Sequence, residues 1–164
     1  VSFDGPIAIR YPRGSAHQGL REYQAPVEYG RSEIIRKGKK IAVLGVGSMI
    51  PSCMEICKGL KDDGYDPTFV NVRFVKPLDV DLLDELAKDH SLFVTVEENV
   101  KSGGYGEHVS AYMEACHPEI RVLSAAVWDR FVPQGNVESL RSRIGLGVED
   151  IRQAIEDSEE LREQ

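Results

Sequence analysis

The sequence predicts an α/β domain in which a mostly parallel sheet is covered on both faces by helices. Three observations carry that reading. Short apolar runs recur from about Lys40 onward, each the length of a buried strand. Segments with helical spacing of apolar residues separate them, opened by capping residues and closed by Gly or Pro. The composition, 41% hydrophobic and 29% charged over 164 residues, is that of an ordinary globular chain able to bury a core without staples. Strands alternating with helices at this spacing make right-handed crossovers and a parallel sheet.

The elements follow in order. Ile41-Ala42-Val43-Leu44-Gly45-Val46 reads as a buried strand. Ser48 is positioned to cap a helix whose face carries Ile50, Met54, Cys57 and Leu60, and Gly64 stops it. Thr68 to Val75 is a second strand, rich in β-branched and aromatic residues. Lys76-Pro77-Leu78 breaks it, and Asp79 caps a helix carrying Val80, Leu83 and Leu86. Leu92 to Val96 is a third buried run. The loop Asn99 to Gly106 leads to a helix marked by Val109, Tyr112, Met113 and Cys116, which ends before Pro118. Ile120 to Val127 is a fourth strand. Two helices close the chain, one after Asn136 and one with Val148, Ile151, Ile155 and Leu161 on its inner face.

The first thirty residues stand outside this pattern. Ile7, Ile9 and Tyr11 alternate with Ala8 and Arg10 as a strand does, and a polar stretch from Ser15 to Gln24 reads as a linker. Ile34-Ile35 reads as a short strand paired as a hairpin with Ile41 to Leu44. The chain opens Val1-Ser2-Phe3-Asp4 without an initiator Met, which together with a lone strand suggests a processed or excised piece carrying the end of another domain. A net charge of −7 without a basic stripe argues against nucleic acid and anionic membranes. No apolar run approaches a membrane span, no signal peptide opens the chain, and three cysteines without framework spacing suit a reducing, cytoplasmic setting.

Five motifs invite chemistry. Gly45-Val46-Gly47-Ser48 sits at a strand-to-helix turn, where backbone N–H groups can hold a phosphate, but Pro51 and Ser52 stand where a third Gly is needed. It reads as a packing turn. Cys53 and Cys57 share a helix face without partners for a metal, so they read as buried thiols. His90 and His117 read as helix-end residues, while His108 is either on the strand-end rim or on the surface. Glu97 and Glu98 close the third strand, either as a ligand or acid–base site or as a charged end that meets a neighbouring domain. Arg10-Tyr11-Pro12-Arg13-Gly14 brackets a stiff Tyr-Pro pair with two planar donor forks suited to phosphate or carboxylate, the bland reading being a solvated basic turn.

Taken together, Gly5 to Gly14, Val72-Arg73-Phe74-Val75-Lys76-Pro77-Leu78-Asp79, Val96-Glu97-Glu98-Asn99, Gly103-Gly104 and Phe131-Val132-Pro133-Gln134-Gly135 resemble the C-terminal part of the 1-deoxy-D-xylulose-5-phosphate synthase family, thiamine-diphosphate enzymes of the transketolase superfamily. The likeness runs over nearly the whole chain. Its RFVKPLD and VEEN elements are shared more widely in the superfamily, whereas the RYPRG arm and FVPQG loop favour the synthases.

The resemblance implies residues 1–24 as the last strand of a preceding pyrimidine-binding domain plus a linker, and residues 25–164 as a three-layer α/β/α transketolase C-terminal domain. Its five-stranded sheet would have one antiparallel strand, lying beside the third strand in sequence, against the simple hairpin. It implies condensation of pyruvate with glyceraldehyde 3-phosphate and loss of CO2, for isoprenoid, thiamine and pyridoxal synthesis. Thiamine diphosphate and Mg²⁺ would be held by upstream domains of the same polypeptide in a homodimer, with neither bound to this fragment and no catalytic residue in it. Arg13 matches the arginine that grips the acceptor's phosphate. Arg10, Glu97 and Glu98 are candidates for support or a domain interface. Two other readings stand beside this one: the C-terminal domain of a transketolase or 2-oxo acid dehydrogenase β subunit, and a stand-alone nucleotide- or effector-binding module built on the Gly45-Val46-Gly47 turn.

Overall fold

The computed structural model describes residues 3–12, 17–23 and 25–158. Its elements are β1 (Glu33–Arg36), β2 (Lys40–Val46), α1 (Ile50–Asp62), β3 (Thr68–Val72), α2 (Val80–Leu86), β4 (His90–Val100), α3 (Tyr105–Cys116), β5 (Arg121–Val127), α4 (Val137–Arg143) and α5 (Val148–Glu156), with one 3-10 turn at Gly47–Met49. The five strands form one sheet in the order β1-β3-β2-β4-β5, parallel except for β1, which runs antiparallel to β3. The α/β fold with one antiparallel strand is the one expected.

Strand alternation sends the apolar side chains to two cores. Ile41, Val43, Leu92, Val94 and Val96 pack under α1 and α5 through Cys53, Ile56, Leu60, Ile151 and Ile155. Ala42, Leu44, Val70, Val72 and Phe93 pack under α2 and α3 through Leu83, Leu86, Val109 and Met113. Both faces of the central strands are therefore buried, which is why β2 reads as a continuous apolar run.

The hairpin of Ile34-Ile35 with the next strand does not form. Arg36 stands opposite Phe69, and the chain crosses the start of β3 to enter the sheet on that strand's far side. Gly38 makes the crossing possible: a Cβ there would lie 2.6 Å from the Pro67 carbonyl carbon, and its N–H donates to Thr68 Oγ1 at 2.9 Å. Nor does the Ile7–Tyr11 strand form. No strand lies in residues 3–12, and Ile9 and Tyr11 are about four-fifths exposed, because an alternating pattern without a partner edge gains nothing from extension.

Smaller departures have equally local causes. The second strand ends at Val72, and Arg73 turns back to pair with Glu33 and donate to the carbonyls of Ala25 and Pro26. Asp79 caps α2 as expected, but it also accepts from Arg31 and from the Ser32 N–H, so the RFVKPLD stretch fastens the lead into β1 from both ends. Val80 is exposed, leaving Leu83 and Leu86 as the helix's buried residues. Asn136 caps α4 through the N–H groups of Glu138 and Ser139. On α3, Cys116 is exposed and only Val109 and Met113 of the expected face are fully buried. Leu161 lies outside the described residues.

Candidate functional site

The connection from β2 leads to β3 on one side, and the connection from β4 leads to β5 on the other. The crevice between the carboxyl ends of β2 and β4 is thus the switch point where open α/β sheets take ligands. At Gly45, next to the last residue of β2, a Cβ would meet Cys53 Sγ at 2.8 Å, so its bare backbone lets α1 lie close. Gly47 follows with φ of +53°, a left-handed conformation that glycine takes without strain. Ser48 sits in the 3-10 turn, not at the cap of α1, and its hydroxyl donates across the crevice to Glu98 Oε2 at 2.7 Å.

Across the crevice, β4 loses register with β5. Val96 pairs with Ala125 and Val100 with Val127, so Glu97–Asn99 stand opposite Ala126 alone. A bulge of this kind re-aims side chains at a strand end. Glu98 gathers three segments there: its carboxylate accepts from Ser48 and from Arg141 Nε of α4 at 3.1 Å, and its main-chain carbonyl accepts from Arg10 Nη2 at 3.0 Å. Burial alone would push its carboxyl up, but the hydrogen bonds from Arg141 and Ser48 and the charges of Arg141 and Arg10 outweigh that, holding it below the usual glutamate range.

Glu97 faces the other way. It is buried and accepts the N–H groups of Tyr105 at 3.0 Å and Gly106 at 2.8 Å, satisfying two of the orphan donors that begin α3. Its charge lies at the positive end of that helix's dipole. Gly104 is required beside it, since a Cβ would come within 2.6 Å of Glu97 Oε1. Glu97 is therefore a cap supplied from a neighbouring strand.

The remaining candidates separate cleanly. Cys53 and Cys57 are free buried thiols; burial pushes both up, Cys57 to about 12 against the pull of Arg36, so neither is a ready nucleophile. His90 opens β4, buried, with Nδ1 donating to the Leu86 carbonyl and Nε2 accepting from Thr68 Oγ1. That pattern requires the neutral ring, and burial holds its pKa below the ordinary value despite Leu86 and Asp89. His117 ends α3 and meets Asp84 at 2.8 Å. His108 is exposed in the first turn of α3. Arg13 lies outside the described residues.

Sequence reasoning missed Ser48 as a partner of Glu98 and did not single out Arg141. Ser48 was visible as a polar residue closing a strand–turn, but its partner lies fifty residues away. Arg141 carried no local signal at all. At the Gly45-Val46-Gly47 turn the side chain that follows, Ser48, is already engaged with the Glu98 carboxylate.

Residues 30–151 match the family described as transketolase, C-terminal domain. A 1-deoxy-D-xylulose-5-phosphate synthase of Lachnoclostridium phytofermentans is 41% identical over 152 residues, covering 92% of this chain and 24% of its own length. One from Dictyoglomus thermophilum is 40% identical over 156 residues, covering 94% and 25%. The chain thus spans about a quarter of the curated relatives it matches. Among solved structures, a split-gene transketolase described as an inactive β4 tetramer superposes with a TM-score of 0.76 at 29% identity, over 82% of this chain and 44% of that one. A transketolase from Campylobacter jejuni, 17% identical, shares the fold with a TM-score of 0.56 over 79% of this chain and 19% of that one.

Proposed function

The chain belongs to the transketolase C-terminal domain family, and from that premise we propose that it is the C-terminal domain of a 1-deoxy-D-xylulose-5-phosphate synthase. The observation that carries the reading is the 41% and 40% identity to synthases over more than nine-tenths of the chain, well beyond residues 30–151. The RYPRG arm, which set the synthases apart in the sequence, lies outside residues 30–151. The complete enzyme would join pyruvate to glyceraldehyde 3-phosphate with loss of CO2, as a cytoplasmic thiamine-diphosphate transferase working as a homodimer. Residues 1–24 would be the end of the pyrimidine-binding domain plus a linker, and residues 25–164 the C-terminal domain proper.

The described residues do not fit a thiamine diphosphate and Mg²⁺ site. No group of three or more His, Cys, Asp or Glu among them is placed to hold a metal. The switch-point crevice offers a phosphate the Glu98 carboxylate, already engaged with Ser48 and Arg141. In this reading the cofactor's anchors would belong to upstream domains of the same polypeptide, and no step through the cofactor is assigned to this chain. Arg13 is the residue assigned to substrate: its planar fork would pair with the acceptor's phosphate. The isolated chain would be inactive and bind no thiamine diphosphate; saturable micromolar binding in a calorimetric titration with Mg²⁺ would overturn that assignment.

Assay of the complete polypeptide tests the reading as a whole. Pyruvate and glyceraldehyde 3-phosphate should give the deoxyketose phosphate with one CO2 released per product. Two-carbon transfer from a ketose phosphate without CO2 release would instead assign the domain to a transketolase.

A further inference from the structure

The two edges of the sheet are protected unequally. β1 is four residues long, carries Glu33 and Arg36, and breaks register with β3 between Ile34 and Arg36. Shortness, charge and a bulge are the usual defences of an edge against another strand. β5, at the opposite end of the sheet, runs for seven residues without Pro or Lys, and its one charge is on the first residue, Arg121. The bulge on that side of the sheet belongs to β4. Val122 on one face and Leu123 on the other are only partly buried, and Trp128, just past the strand, is 58% exposed. The Val127 carbonyl is turned inward, accepting from the Lys101 N–H at 2.8 Å. Alternate residues of a parallel ladder turn their polar groups to alternate sides, so Val122, Ser124 and Ala126 present theirs to the open edge.

We propose that β5 is an interface between two copies of this chain, paired antiparallel across a two-fold axis at Ala125 to join their sheets into one. A two-fold axis makes the interface self-complementary, so every contact occurs twice. Axes at Ser124, Ala125 or Ala126 all bring outward-facing residues opposite one another, and charge chooses among them. The axis at Ser124 sets Glu119 against the second copy's Asp129, two like charges, and the axis at Ala126 sets Arg121 against Phe131. The axis at Ala125 sets Arg121 against Asp129, both exposed and of opposite sign, and lays Val122 on the second copy's Trp128. The pairing needs only two copies of this chain, so it stands apart from the synthase reading.

The test is sedimentation velocity of the 164-residue chain over a range of concentrations, with the emission of Trp128, its one tryptophan, read on the same samples. The mass should rise from one chain to two, and the emission should move to shorter wavelength in step as Val122 of the second copy covers the indole. Arg121→Asp and Asp129→Arg each set like charges opposite one another at both ends of the interface, and each should weaken the dimer about tenfold or more. The Arg121→Asp/Asp129→Arg double variant should restore both the mass and the emission shift. Recovery cannot come from within one chain, because the two residues stand at opposite ends of β5, so the double variant decides the matter even where a single variant is destabilised. A chain that stays monomeric at every soluble concentration overturns the proposal. So does a dimer indifferent to the single variants, or a double variant that does not recover.

Discussion

Glu97 and Glu98 leave β4 side by side, and strand alternation sends them to opposite faces of the sheet. Glu97 is only 2% exposed and is satisfied by two backbone N–H groups of one helix. The Glu98 side chain is 36% exposed and is satisfied by side chains from the β2 turn and from α4, while its carbonyl takes the arm. The first carboxylate builds the fold; the second joins separate segments of it. The lesson is that a carboxyl pair at a strand end need not share one chemistry, since burial and the kind of donor decide what each carboxylate is worth.

The comparison is broken first by removing Glu97. Glu97→Ala leaves two buried helix-start donors without a partner, at about 1–3 kcal/mol each when unmet, so the melting temperature should drop by roughly 5–15 °C. A drop below about 2 °C, read by calorimetry, would mean that water reaches those N–H groups and that Glu97 is no more structural than its neighbour.

Next in size is Gly106→Ala, on the same side of the sheet. Its Cβ would collide with Ser124 Oγ and lie 2.5 Å from Thr95 Oγ1, on the strands beneath α3. Overpacking of this kind costs about 1–3 kcal/mol. Adding Ser124→Ala should recover part of the loss in urea denaturation; no recovery would place the strain elsewhere in the helix start.

Acid sharpens the comparison along β4, which begins at His90 and ends at the two glutamates. The folded-state pKa of His90 is lowered below its ordinary 6.5 by burial. A depressed histidine is harder to protonate in the folded state than in the unfolded one, so stability should fall as pH drops below about 6.5. His90→Gln should flatten that slope in urea midpoints measured from pH 7.5 to 5. An unchanged slope would assign it to other groups. Glu98 works in a lower window: its carboxyl is held below the ordinary glutamate value of 4.5, so its contribution is present above that value and fades as pH falls through the folded one.

The smallest stability effect is expected from Glu98→Ala. A partly exposed pair with Arg141 contributes about 0.2–1 kcal/mol and is weakened by salt. The melting temperature should therefore move by no more than about 2–4 °C, with the difference from wild type shrinking in 1 M NaCl. A loss as large as that of Glu97→Ala would erase the distinction between the two residues.

The strands, helices and caps on residues such as Asp79 and Asn136 were legible in the sequence, because each depends on neighbours within a few positions. The hairpin expected at Ile34-Ile35 failed for the opposite reason. Which strand a four-residue β1 joins is decided by what Gly38 can cross, and that depends on Pro67 and Thr68, thirty residues downstream.

What the sequence determined by itself was therefore the set of elements from the first sheet strand onward and their two apolar faces, since hydrophobic periodicity and capping are local and strong. Tertiary structure alone decided that Ser48 would serve Glu98 and not cap its helix, that Arg141 would join it, and that Glu97 would cap α3 from another strand. Each of these is a hydrogen bond between groups that folding brings together from distant or separate elements. A hydroxyl or guanidinium carries no record of its partner in the neighbouring residues, because such a bond depends on distance and direction in space and not on any spacing along the chain.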